Sequence, residues 1–274
     1  MSDAKQAEKA AVFRALHARP GAFVIPNPWD AGSARILAAL GFEALATTSA
    51  GLAFMLGRRD GGAGREETLA NARAIAGATD LPVSADLENG FGDAPEAAAE
   101  TIRLAAGTGL VGGSIEDASG DAARPIYDHG HAVERVAAAV AAARALPFPF
   151  VLTARAENFL HGRADLDDTI RRLQAFERAG ADVLYAPGLP SLDAIRAVCA
   201  AVSRPVNVLA GGSGAAPSVA ALAEAGVKRI SVGSALSRAA LGGFMRAVQE
   251  IKERGTFEFA RDALPHREAG AFMR

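Results

Sequence analysis

Ile170-Arg171-Arg172-Leu173-Gln174-Ala175-Phe176-Glu177-Arg178-Ala179-Gly180, continuing through Ala181 into the β-prone run 182–186, holds one complete repeat of helix, turn and strand. Ile170, Leu173 and Phe176 recur at helical spacing between charged residues, which predicts an amphipathic helix with one buried face. Gly180 follows it where a left-handed cap is needed before the next strand. The same ending recurs at Leu40-Gly41-Phe42 and Ala225-Gly226-Val227. Short β-prone runs lie at 22–26, 44–48, 82–86, 112–116, 148–154, 182–186, 205–209 and 229–232, with Ala-, Leu- and Arg-rich helical segments between them. Strands that alternate with helices form a parallel sheet, and eight such units favour a (β/α)₈ TIM barrel, of class α/β, over an open doubly wound sheet. With no low-complexity linker, residues 1–274 read as one barrel domain, and 236–274 as a C-terminal helical extension. That extension opens with an amphipathic helix over 236–252 and ends in a tail carrying Phe257, Phe259 and Phe272.

Composition narrows the classes of partner. A formal net charge of −2 over 274 residues offers no basic field for nucleic acid or an anionic membrane surface. The apolar runs are too short and interrupted to span a bilayer, and the polar opening of the chain has no signal-peptide core, so a cytoplasmic protein is expected. The single cysteine, Cys199, lies in a helical pattern as a small core residue, and no Cys/His cluster has zinc spacing.

A barrel enzyme keeps its site at the C-terminal ends of its strands, so chemistry is sought where the β-prone runs stop. The third run ends in Asp86-Leu87-Glu88-Asn89-Gly90-Phe91-Gly92, and alternate residues of an extended strand share a face, so Asp86 and Glu88 are expected to converge on one cation. The fourth ends in Glu116 and Asp117, which brings up to four acids to one rim, a repulsion that a divalent cation relieves. Arg155, at the end of the fifth, either forms a charge-assisted pair with a substrate carboxylate or bridges to Glu116 or Glu157. After the second run, Thr47-Thr48-Ser49-Ala50-Gly51-Leu52 is a small-residue turn whose N–H groups suit a carboxylate or oxyanion. Glycine-rich turns follow the seventh and eighth runs, Gly211-Gly212-Ser213-Gly214 and Val232-Gly233-Ser234, where many barrels hold phosphate. Asp30 reads as a helix N-cap with Trp29 at its entry, while His129, His131 and His161 read as surface or capping residues and His17 belongs to the leading helix.

In order along the chain, Pro26-Asn27-Pro28-Trp29-Asp30-Ala31-Gly32-Ser33-Ala34-Arg35, Ser49-Ala50-Gly51-Leu52, Leu56-Gly57-Arg58-Arg59-Asp60, the 85–92 stretch, Ile115-Glu116-Asp117 and Thr153-Ala154-Arg155 resemble the isocitrate lyase / phosphoenolpyruvate mutase superfamily, in its 2-methylisocitrate lyase-like form. The resemblance runs from about Pro20 to Leu241. It implies a barrel whose last helix is exchanged between subunits of a homodimer or homotetramer, and Mg²⁺ held largely through water. Under it Asp86, Glu88 and Glu116 are the metal-binding acids, and Asp60, Arg155 and Glu116 the catalytic set. Thr48, Ser49, Ala50, Gly51, Leu52, Asp86 and Arg155 face the substrate, and Asn207 completes that list.

The resemblance also has a gap. The lyases of this group carry a Lys-Lys-Cys-Gly-His or Lys-Arg-Cys-Gly-His loop after the fourth strand, whose Cys is the general acid/base. Here residues 118–129 contain no cysteine, which leaves Arg124, Tyr127 and His129 as substitutes by position. The mutase loop is missing too, and Tyr185-Ala186-Pro187-Gly188 stands where the methylisocitrate lyases carry a Glu. The implied function is a Mg²⁺-dependent lyase that cleaves a C–C bond of a small 2-oxo or 2-hydroxy carboxylate through a metal-stabilised enolate. The alternatives are a phosphonopyruvate mutase or hydrolase and an oxo-acid-binding barrel that has lost efficient catalysis.

Overall fold

Where Arg178 ends the helix of the quoted repeat, Gly180 takes φ +102°, and a Cβ there would come within 3.0 Å of Val140 Cγ1. Handedness and close approach therefore both demand glycine at the point where the chain turns into its strand. A computed structural model describes residues 3–211 and 217–273. In chain order its elements are α1 (Asp3–Ala18), β1 (Phe23–Ile25), α2 (Ala31–Ala39), β2 (Leu45–Ala46), α3 (Ser49–Met55), α4 (Arg65–Gly77), β3 (Val83–Asp86), α5 (Pro95–Ala106), β4 (Gly112–Glu116), α6 (His129–Arg144) and β5 (Val151–Arg155). There follow α7 (Leu166–Arg178), β6 (Val183–Tyr185), α8 (Leu192–Ala201), β7 (Val206–Leu209), α9 (Val219–Glu224), β8 (Arg229–Ser231), α10 (Ala235–Arg254), a 3₁₀ turn (Glu258–Arg261) and α11 (His266–Phe272).

All eight expected strands are present, all parallel, in the order β1-β8-β7-β6-β5-β4-β3-β2. The Ala46 N–H donates to the Pro26 carbonyl at 3.0 Å and draws β2 back to β1, so the sheet is a nearly closed (β/α)₈ barrel. Strand ends differ from the sequence pattern for local reasons. β5 starts at Val151 rather than 148 because Pro149 has no N–H for a ladder. β2 stops at Ala46 because Thr48 already serves as the N-cap of α3.

Helix α1 closes the N-terminal end of the barrel, with Phe13 and Leu16 set against Phe23, Ile25, Val111, Val151 and Val183. His17 lies edge-on between the rings of Phe13 and Phe23, and its Nδ1 bonds the Phe13 carbonyl at 2.8 Å. Burial first, then the charge of Arg229, pushes its pKa down to about 3, so it is neutral when folded. An unfolded histidine titrates near 6.5, so the stability this gives is complete above that pH and is lost as acid drives the pH toward 3. Between pH 7 and pH 5 this group is expected to cost about 2 kcal/mol of unfolding free energy. Urea titrations at both pH values test it: His17→Gln should lose less stability across the window, and an unchanged slope refutes the assignment.

Beyond the barrel, α10 runs to Arg254 and ends at Gly255 in the left-handed region. The tail adds a 3₁₀ turn and α11. Glu250 anchors it by accepting from Thr256 Oγ1 and from the Glu258 and Phe259 N–H groups. Phe272 returns to a cleft against Ala38 and Ala39 of α2, whereas Phe257 points outward. No helix among the described residues is long and apolar enough to cross a membrane.

Candidate active site

A cavity of about 170 Å³ opens at the C-terminal ends of the strands. Arg155, the last residue of β5, is its electrostatic centre. Its Nη1 donates to Asp86 Oδ1 at 2.9 Å and contacts Glu116 Oε2 at 3.1 Å, while Nε donates to Glu157 Oε1 at 2.8 Å. Of the two roles open in the sequence, the bridging one is therefore realised, to Asp86 as well as to Glu116 and Glu157. None of these pairs uses Nη2. Burial alone would lower this guanidinium, but Glu116, Glu157 and Asp86 outweigh it and hold it well above its ordinary value.

Asp86 ends β3 and is held from several sides. Its Oδ1 also accepts from the Glu88 N–H at 3.3 Å, its Oδ2 accepts from the Ser49 N–H at 3.3 Å, and its own N–H donates to Thr47 Oγ1. Glu88 reaches the same cluster by a route other than the expected one. It lies beyond the strand at φ +48°, so the alternation of an extended segment does not aim it; a left-handed turn does. Burial first, then Asp86 and Asp60, pushes its pKa up to about 7, and its Oε1 is buried without a hydrogen-bond partner. Glu116 is held well above the usual carboxylate range, chiefly by burial, and its carboxylate is turned onto Arg155.

Asp117 leaves the set of rim acids. One residue past β4, its N–H still bonds the Arg155 carbonyl and extends the run, so it faces away from Glu116, where its Oδ2 pairs with Arg172 at 2.9 Å and its Oδ1 accepts from the Glu157 N–H. The turn after the second strand needs correction as well. It is the first turn of α3, where the Gly51 N–H donates to Thr48 Oγ1 and the Leu52 N–H to the Thr48 carbonyl. Gly51 and Leu52 therefore have no donor to give a ligand, while Thr48, Ser49 and Ala50 do line the cavity. Gly51 is instead a packing glycine, since a Cβ there would stand 2.5 Å from Thr48 Cγ2. Asp60, from the loop after α3, reaches the cavity rim and accepts from Ser49 Oγ at 3.3 Å.

Of the expected phosphate turns, Gly212, Ser213 and Gly214 lie outside the described residues. In the other, the N–H groups of Val232 and Gly233 both donate to Asn27 Oδ1, at 2.8 and 2.9 Å, which ties β8 to β1 and removes two donors from a phosphate. The substitute proton donors proposed by position stand elsewhere. Arg124 and Tyr127 line a separate hollow with Asp93 and Arg163; the Tyr127 hydroxyl donates to Asp93 Oδ1 at 2.7 Å, and burial raises its pKa to about 12. His129 is an exposed first residue of α6.

Arg229 and Tyr185, to which the sequence reading gave no role in the site, also line the cavity. Arg229, Asn207, Tyr185, Arg155 and Glu116 are Cα partners across successive ladders, and partners in a parallel sheet share a face. Barrel tilt carries this inward row from the first residue of β8 at the floor to the last residue of β4 at the mouth. Tyr185 lies beneath the Arg155 guanidinium, 5.1 Å from ring centre to Cζ. The detectable signal was an arginine opening an otherwise apolar strand run.

Known proteins fit this geometry. The family model described as phosphoenolpyruvate phosphomutase matches residues 13–252. A crystal structure from Burkholderia cenocepacia, provisionally described as a lyase/mutase, is 61% identical with a TM-score of 0.97 and covers 98% of this chain and 97% of its own. The probable 2-methylisocitrate lyase 1 of Corynebacterium glutamicum is 31% identical over 93% of this chain and 85% of its own length. Oxaloacetate acetylhydrolase, solved with its product oxalate, is 26% identical with a TM-score of 0.87, over 97% of this chain and 93% of its own. Barrel, carboxylate mouth and matched profile together place this chain in the phosphoenolpyruvate mutase/isocitrate lyase superfamily, whose members are lyases and mutases acting on small carboxylates.

Proposed function

We propose that the protein is a Mg²⁺-dependent lyase that cleaves a C–C bond in a small 2-oxo or 2-hydroxy carboxylate. The observation that carries this reading is the unpartnered, buried Oε1 of Glu88 in a cluster whose carboxylates outnumber its one guanidinium. A hard cation suits such oxygen donors. Among the described residues no three His, Cys, Asp or Glu side chains converge to hold a metal directly. Asp86 and Glu88 are thus the holding pair, with the other positions left to water and substrate, as magnesium prefers. Glu116 supports the pair through Arg155 rather than as a ligand. When bound, the cation supplies a Lewis acid for negative charge developing on adjacent substrate oxygens.

The protein's own groups do the rest. Arg155 fixes Asp86 in one orientation and keeps its Nη2 side for a substrate carboxylate. Asp60 and the Ser49 hydroxyl, 3.3 Å apart at the rim, are the pair placed to take a proton from a substrate hydroxyl. The test is a panel of 2-methylisocitrate, 2,3-dimethylmalate, oxaloacetate and phosphonopyruvate, assayed with magnesium and again with EDTA. Cleavage of a C–C bond in one of the first three acids, abolished by EDTA, is expected, and turnover of phosphonopyruvate alone refutes the lyase reading. Turnover indifferent to EDTA, or binding without turnover of any member, refutes it.

The oligomer belongs to the same proposal. Leu241, Phe244, Met245 and Val248 follow helical spacing on α10 and are 44%, 63%, 54% and 42% exposed, an apolar stripe that a second copy of the chain would cover. Phe244→Asp is expected to shift the sedimenting species from dimer or tetramer to monomer. A wild-type monomer refutes the assembly.

A further inference from the structure

The floor of the cavity holds a charge that the chemistry at its mouth leaves unused. Arg229 is 5% exposed and lines the cavity from the first position of β8. Its Nε donates to Asn207 Oδ1 at 2.8 Å and its Nη2 to Thr153 Oγ1 at 2.9 Å, while Nη1 is buried with no partner. Asn207 is itself fixed by donating from Nδ2 to Ser231 Oγ at 3.0 Å, and Ser231 also bonds the Tyr185 hydroxyl. These neighbours are neutral, and so is His17, the imidazole on which the charge of Arg229 acts. Among the described residues none of the partners of Arg229 is a carboxylate, in contrast to the three around Arg155. Burial pushes its pKa down to about 10, which still leaves it cationic at neutral pH.

The cavity is therefore polarised, with excess negative charge at the rim and one uncompensated positive charge at the floor. A buried guanidinium without a counter-ion is costly in the empty protein, and a ligand that brings the missing anion recovers that cost. We propose that Nη1 of Arg229, presented by Asn207 and Thr153, anchors a second carboxylate of the substrate, so that the protein selects dicarboxylates over monocarboxylates. This rests on the reading of the mouth as an oxo- or hydroxy-acid site. Asn207 and Thr153 are positioning residues here; Arg229 makes the contact.

Calorimetric titration in magnesium-containing buffer with pyruvate, oxaloacetate, 2-oxoglutarate and phosphonopyruvate tests it. Wild type is expected to bind a diacid at least about tenfold tighter than pyruvate. Arg229→Met should erase that preference, leave pyruvate affinity within about twofold, and not lower the melting temperature of the empty protein. Equal affinities in wild type overturn the anchor. So does a variant that loses both ligands equally and melts lower, since that is the behaviour of a scaffold. An Arg229-dependent preference equally strong for phosphonopyruvate overturns the assignment to a carboxylate. If Arg229→Met does not fold, Arg229→Lys decides the matter, because loss of diacid affinity alone supports the anchor and equal losses refute it. Wild type that binds no oxo acid at all refutes the reading of the mouth, and the anchor with it; binding of pyruvate without diacid preference refutes the anchor alone.

Discussion

Asp86→Asn is expected to lower turnover by about 10²–10³-fold while leaving the fold within about 1 kcal/mol of wild type, a shift of about 2–4 °C in melting temperature. The two effects separate because Asp86 is one of several carboxylates around a single guanidinium. Arg155 keeps Glu116 and Glu157 when Asp86 is neutralised, so no buried cation is stranded. Removing one charge from a crowded acidic rim also relieves repulsion, which offsets the weakened bond from the Ser49 N–H. Function has no such compensation, since Asp86 is one of two acids proposed to hold the cation. Steady-state kinetics on the turned-over member of the panel, with thermal melts in EDTA, check both halves. Unchanged kinetics would remove Asp86 from the site, and a large loss of stability would make it a structural residue instead.

The barrel was legible because its signals are local. A glycine after an amphipathic stretch and before a β-prone run fixes one αβ joint wherever it occurs, and eight joints leave few topologies open. The residue types at the mouth were legible for a related reason: strand ends are where a barrel carries its chemistry. Directions were less so. Glu88 was assigned by strand alternation, yet the strand ends at Asp86 and a residue at φ +48° obeys no such rule. Asp117 could have been excluded by alternation, since it follows the inward Glu116. The bridging role of Arg155 depends on Asp86, 69 residues away in sequence, and no periodicity reports a contact of that range. Turn donors were over-read at Gly51, Leu52, Val232 and Gly233, because a free N–H in sequence is claimed in the fold by Thr48 or Asn27. Arg229 went unread since an arginine at a strand start ordinarily faces solvent; only closure of the barrel turns it inward.

Arg155→Met is the substitution expected to be most damaging, with the loss divided differently from that of Asp86→Asn. It takes the one cation from among Asp86, Glu116 and Glu157, whose side chains are 17%, 16% and 3% exposed. Breaking a buried ion pair from one side strands the other partner, at about 3–5 kcal/mol for a single pair. The stability loss at neutral pH is therefore expected near that range, with turnover abolished because neither the orientation of Asp86 nor the carboxylate contact at Nη2 survives. The stranded acids limit the damage by taking up protons, so the fold is weakened rather than destroyed. A double-mutant cycle separates this account from simple loss of packing. Adding Glu116→Gln to Arg155→Met removes a carboxyl that the buried site must otherwise neutralise and is expected to recover about 1–2 kcal/mol in urea titrations, whereas Glu116→Gln in the wild type, where Arg155 already offsets part of that burial cost, should change stability by less. Additive losses in the cycle would show that Arg155 is held there by packing over Tyr185 and not by the carboxylates around it.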